Sequence, residues 1–300
     1  SGPNTGVVSY PEVAELFHDL AQWGCSLEEA HEEARQRWIW KGTKFHAIPS
    51  SLIRAVRTPL FTWRDKFGIL GEPFRRKGTN PDEDVASIVV RRLGKSYLDY
   101  AVDPFVSGVY AGNPHTLITR FALPKLYNLE QNYGSFIRGG IAKSKEKKSE
   151  RERLATKNVF SAVGGLSRLT EALAQSVGES NIILGVKEVV VTPMDGQWQV
   201  SYKTATGEMI SLCSQHVITT VGAYALKTML PFVEEADMAA ISALHYAPII
   251  QVSVGLSDAH GVENKAFGGL IPTCEKQPFL GILFPSACFS QRCPTAGALY

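Results

Sequence analysis

Near Val159 the chain changes its hydrophobic period. From about residue 58 to residue 153 apolar positions recur at helical spacing, and beyond Val159 strand-like runs alternate with helices. Residues 82–93 show the first texture: Val85, Ile88 and Val89 share a face, and Arg91-Arg92 precede Gly94 where a helix dipole and a left-handed exit favour them. Residues 182–184, 189–192, 198–202, 209–212 and 217–221 show the second, with Asp195-Gly196 marking a hairpin. A helix over 234–244 is expected before strands at 249–256, 267–271 and 280–284. Helices followed by mixed strands and helices define the α+β class.

Three local patterns complete the layout. Ser9 and Glu12 have capping-box spacing, Pro11 sits in the first turn, and Val13, Leu16, Phe17 and Leu20 repeat along one helix face. Residues 37–45 read as an extended pair turning at Lys41-Gly42-Thr43. The charged run 143–153 reads as a solvated helix face or a mobile loop, because Glu146, Glu150 and Glu152 dilute its basic residues.

Charge excludes several function classes. Lys and Arg number 31 against 29 Asp and Glu, a net +2, so no field recruits nucleic acid. Five cysteines without a C-x-x-C argue for reduced thiols in the cytoplasm and against a metal site. No apolar run approaches the roughly 18 residues of a spanning helix. The seven histidines are scattered, and no H-E-x-x-H, G-x-S-x-G, phosphate-loop or G-x-G-x-x-G pattern occurs. The sequence starts at Ser1 and stops at Tyr300 inside a strand-like run, so a piece of a longer chain is expected.

One stretch is specific. Asp103-Pro104-Phe105-Val106-Ser107-Gly108-Val109-Tyr110-Ala111-Gly112-Asn113-Pro114, continued by Phe121, Pro124, Leu126, Glu130, Gly134 and Ser135, resembles the protoporphyrinogen oxidases of the amine-oxidase-like flavoprotein superfamily. Gly2-Pro3-Asn4-Thr5, Arg37-Trp38, His46-Ala47-Ile48-Pro49, Phe267-Gly268-Gly269-Leu270 and Leu280-Gly281-Ile282-Leu283 agree in order.

The resemblance implies FAD-dependent oxidation of protoporphyrinogen IX with O2 as acceptor, in haem biosynthesis. It implies that Arg37 anchors a substrate propionate and that Trp38, Phe267, Leu270 and Leu283 form apolar walls, although each could be plain core on periodicity alone. Gly268 and Gly108 would allow close backbone approach, with a simple turn as the alternative at Gly108. Asn4 would orient the reacting carbon without acting as a base, and Gly2, Pro3, Val189, Thr220 and Val221 would touch FAD. Residues 1–35 and 158–238 would belong to the FAD-binding domain, 36–60 and 239–300 to a substrate sheet, and 61–157 to a helical part.

Arg91, Arg92, Lys145 and Lys148 lie in that helical part, where family members approach membranes, so peripheral attachment is one expectation. The missing flavin fingerprint predicts that this polypeptide alone holds FAD poorly and is inactive. Unpaired sheet edges would then favour association, leaving a homodimer open. Coproporphyrinogen III, which needs more cations around the pocket, is the alternative substrate. A non-catalytic porphyrin-binding module is the alternative class.

Overall fold

A computed structural model describes residues 3–147, 149–262 and 264–300. The chain divides into two compact units, Ser1–Leu173 with Ile249–Tyr300, and Ala174–Pro248. The α+β expectation holds in both.

The first unit contains two larger sheets. One runs in the order β1-β5-β2, with β1 at Gly6–Val7, β2 at Leu27–Glu29 and β5 at Val159–Ala162, all antiparallel. Helix α1, Pro11–Leu20, packs on it, with Phe17 edge-on to Phe160 at 5.3 Å and Val8, Leu20, Cys25 and Ala162 filling the core. Its N-cap is Tyr10, with no side-chain cap, so the expected Ser9 box does not form. Pro11 fixes the helix start, which leaves Ser9 one residue too early to cap it.

The second sheet runs β11-β10-β3-β4. Strands β3, Arg37–Lys41, and β4, Lys44–Ala47, form the expected hairpin, with Gly42 at φ 66° in its turn. Strands β10, Gly268–Leu270, and β11, Gly281–Leu283, add on, β10 lying parallel to β3. Of residues 249–256, expected to be one strand, β9, Gly255–Leu256, pairs with β12 at Ala298–Leu299, and Val254 exchanges two backbone hydrogen bonds with Tyr300, while 249–253 are coil.

Helices cover residues between the two halves of this sheet. Helices α2, Val85–Arg92, α3, Asp103–Tyr110, α4, Pro124–Tyr133, and α5, Phe136–Ser144, enclose Val85, Ile88, Val89, Leu98, Val106 and Phe136. Asp103 ties this layer to the end of β10, accepting from the Thr273 N–H at 2.7 Å and its hydroxyl at 3.0 Å. The charged run holds a real capping box: Ser149 and Glu152 cap Glu150–Arg153, and Arg151 pairs with Glu12 and Glu15 of α1.

The second unit is a meander of β6, Lys187–Met194, β7, Gln197–Lys203, and β8, Met209–Ser214. Asp195 and Gly196, at φ 39° and 81°, make the expected two-residue turn. Helices Ala223–Met229 and Glu235–Ser242 follow, and the Tyr246 hydroxyl accepts from the Ala223 N–H at 2.9 Å. Residues 182–184 and 217–221, expected as strands, have no ladder partner among the described residues, and an extended run without a partner is coil. No helix among the described residues is long and apolar enough to cross a membrane.

Candidate functional site

Register decides which candidates meet. In the second sheet Arg37 lies beside Gly268, and Gly268 beside Leu283, so three of the expected residues form one cross-strand row. Side chains alternate between faces, which puts Trp38 on the opposite face with Gly269 and Ile282. There Trp38 packs 6.0 Å from Phe45 and 5.7 Å from Phe284, ring centre to ring centre. Gly268 has a demanding position. A Cβ there would run into the Ile282 carbonyl oxygen and come within 3.1 Å of the Leu283 Cα. It is therefore a close-approach glycine, pressed by its neighbouring strand.

Leu270 and Gly108 meet each other. A Cβ on Gly108 would stand 2.6 Å from a Leu270 methyl, so the missing side chain lets α3 settle onto the sheet. Gly108 is helical, and the turn alternative does not apply.

Arg37 and Phe267 line a cleft of about 180 Å³ together with Arg35, Lys157 and Asn158. No carboxylate lines it. Arg37 is exposed, and among the described residues its guanidinium meets no acidic partner. Asn4 and Leu283 line a second cleft of about 200 Å³, with Ser161, Gly165 and Phe289 among its walls. The Asn4 carbonyl accepts from the buried Ser161 hydroxyl at 3.2 Å, which ties the N-terminal segment to β5. Anchor and orienting residue thus open on different clefts.

The remaining candidates scatter. Pro3 is exposed beside Asn4, and Gly2 and Lys148 lie outside the described residues. Val189 sits at a bulge in β6, where the register shifts between Lys187 and Val190 and Glu188 takes φ 52°. Thr220 and Val221 are exposed coil in the second unit. Arg92, one of the expected membrane cations, is wholly buried among Glu72, Glu130 and carbonyl groups and has nothing left for a headgroup.

Sequence reasoning missed Lys157, Arg35 and Ser161. Arg35 carried a weak signal, two residues from Arg37 on a segment already singled out. Lys157 carried none, because only the folded backbone brings it to the cleft.

A flavin cofactor, which the resemblance implies, is larger than either cleft. Pockets for ligands of drug size run from about 300 to 1,000 Å³, whereas the Asn4 cleft offers about 200 Å³. Those walls alone do not enclose such a group.

Comparison with known proteins gives the class. The family model described as flavin containing amine oxidoreductase matches residues 2–300, and the chain belongs to that family. Among its relatives, human protoporphyrinogen oxidase is 31% identical over 273 residues, covering 87% of this chain and 56% of that protein. Chloroplastic protoporphyrinogen oxidase 1 of Arabidopsis thaliana is 31% identical over 280 residues, covering 85% of this chain and 50% of that one. The chain spans about half the length of these curated relatives. A crystal structure of a candidate protoporphyrinogen oxidase from Exiguobacterium sp. 255-15 superposes with a TM-score of 0.71 at 17% identity, covering 99% of this chain and 64% of that one, and shares its fold.

Proposed function

We propose that this chain forms the porphyrinogen-binding sheet and one flank of the flavin site in an FAD-dependent protoporphyrinogen oxidase. The observation that carries this is the row Arg37–Gly268–Leu283, which sets an unpaired cation beside a close-packed strand and an exposed apolar side chain. The Arg37 fork would hold one propionate through two parallel hydrogen bonds. Phe267 and Leu283 would bear on the ring, and Trp38 would stiffen the strand from behind through Phe45 and Phe284. Asn4 would orient the macrocycle edge.

Bound FAD supplies the electron acceptor, which O2 restores with release of hydrogen peroxide. The protein's share is placement and exclusion of water around an oxidisable carbon. In this scheme Gly2, Pro3, Val189, Thr220 and Val221 abut FAD, residues 1–35 and 158–238 belong to the flavin domain, 36–60 and 239–300 to the substrate sheet, and 61–157 to the helical part. A cytoplasmic location belongs to the same proposal.

One observation favours a second substrate. Arg35, Arg37 and Lys157 line one cleft, one cation more than the two propionates of protoporphyrinogen IX need, which suits the four carboxylates of coproporphyrinogen III. The test is anaerobic reduction of FAD by each porphyrinogen in a flavin-loaded longer protein that contains this chain together with a G-x-G-x-x-G segment, wild type beside Arg37→Ala. Fast bleaching by protoporphyrinogen IX, weakened by the substitution, supports the proposal. Bleaching by coproporphyrinogen III alone shifts it to the second substrate, and bleaching by neither removes it.

A further inference from the structure

Lys157 holds a backbone conformation that a lysine rarely takes. Its φ is 61°, in the left-handed region. Such a residue persists only where its surroundings over-determine it, and strain of this kind gathers at ligand sites. Here the surroundings can be named. Glu29 on β2 accepts from the Thr156 hydroxyl at 2.9 Å through one carboxylate oxygen and from the Asn158 amide at 2.7 Å through the other. It thereby clamps the residues on either side of Lys157. The Lys157 N–H donates to the Val8 carbonyl at 2.9 Å, and the Val8 N–H to the Asn158 carbonyl at 3.0 Å.

This clamp sets Lys157 in the wall of the cleft that Arg37 and Phe267 line. Glu29 spends its oxygens on neutral donors, and among the described residues the Lys157 ammonium meets no carboxylate. Arg35, the third cation, already faces Glu32 at 3.5 Å. Two free cations of different character therefore share one small cleft with an aromatic ring.

We infer that Lys157 is a second carboxylate-binding residue, which takes the propionate adjacent to the one held by Arg37, and that Glu29 positions it. This deepens the proposed function and rests on it. Tetrapyrroles carry their carboxylates on neighbouring rings, so an ammonium and a guanidinium beside one apolar face match a pair of acid groups flanking a ring edge. The forked Arg37 would fix orientation, while Lys157 would add a point charge with freedom to adjust.

The experiment measures quenching of porphyrin fluorescence by the full chain, with protoporphyrin IX and with its dimethyl ester, which has the same ring and no charge. Wild type is expected to favour the acid, and Lys157→Gln to lose about tenfold of that preference, one charge-assisted hydrogen bond's worth. Lys157→Arg should restore most of it. Lys157→Gly, which accepts the left-handed backbone freely, should bind as weakly as Lys157→Gln yet melt no lower than wild type. An undiminished acid preference in Lys157→Gln overturns the inference and leaves the proposed function standing. Equal affinity of wild type for acid and ester, or affinity for neither, removes both.

Discussion

Glu130 accepts a hydrogen bond from Arg92 Nε at 2.7 Å, and both side chains are sealed from solvent. Around this pair, Arg91 donates to Glu130 at 2.8 and 3.0 Å, and Gly78 donates its N–H at 3.0 Å. Arg92 also reaches Glu72 at 3.1 Å and the Gly134 carbonyl at 2.8 Å. Glu72 in turn accepts from the Ser135 hydroxyl and the Phe136 N–H, capping α5. Every charge has partners, which is the condition under which buried ions are tolerable.

Removing one member should therefore be costly. Glu130→Gln is expected to destabilise the protein by about 3 kcal/mol, since the buried Arg92 is left with Glu72 as its one anion and Arg91 with Glu83. Urea unfolding of wild type and variant measures it, and a loss below about 1 kcal/mol would show the network to be dispensable.

The same carboxylate sets an acid limit. Burial pushes the Glu130 pKa up, but hydrogen bonds from Arg91, Gly78 and Arg92 outweigh it and hold the group down at about 2, against 4.5 ordinarily. A lowered folded-state pKa contributes stability that is complete above the unfolded value and lost as pH falls toward the folded one. Wild-type urea midpoints should thus fall between pH 4.5 and about 2 more steeply than those of Glu130→Gln, the curves converging at the acid end.

Gly268→Ala should cost about 1–3 kcal/mol, because the new methyl meets a neighbouring strand's backbone and no side chain can swing aside. Arg37→Ala offers the contrast. Its side chain is exposed and unpaired among the described residues, so stability should stay within about 0.5 kcal/mol while porphyrin carboxylate binding drops. Thermal melts beside fluorescence titrations separate the two effects.

Thiol labelling should rank the cysteines. Burial pushes Cys288 up to about 11 and raises Cys25, whereas Cys213 is exposed. At pH 8 about one Cys288 thiol in a thousand would be ionised. Mass spectrometry after brief alkylation should find Cys213 modified and Cys25 and Cys288 protected until denaturant is added.

Added FAD should leave this polypeptide on gel filtration. The sequence lacks a G-x-G-x-x-G, and the Asn4 cleft, at about 200 Å³, is too small to enclose the group. One flavin retained per chain, read from its visible absorbance, would contradict this.

Local chemistry was legible in the sequence wherever neighbours decide the outcome. The turns at Gly42 and at Asp195-Gly196 and the helix around Val85, Ile88 and Val89 need only adjacent residues. Long-range choices were not. Nothing near Arg37 announces that β3 lies parallel to a strand more than two hundred residues later, and the resemblance supplied both segments without their register. Arg91-Arg92 read as dipole-matched cations at a helix end, available to a membrane, because Glu72 and Glu130, which draw Arg92 inside, lie on other elements. The Ser149 cap was visible in spacing and hidden by the polarity of its surroundings.

The buried ion network changes what the most recognisable stretch of this chain stands for. Asp103, Glu130 and Ser135, which made the family identifiable, serve as struts: one pins a helix to the sheet and the other two close around Arg92 and Glu72. In this chain the stretch that carries the resemblance spends these side chains on the fold's own hydrogen bonds. Under the proposed function, the substrate is read elsewhere, by the cations Arg37 and Lys157 that line one cleft.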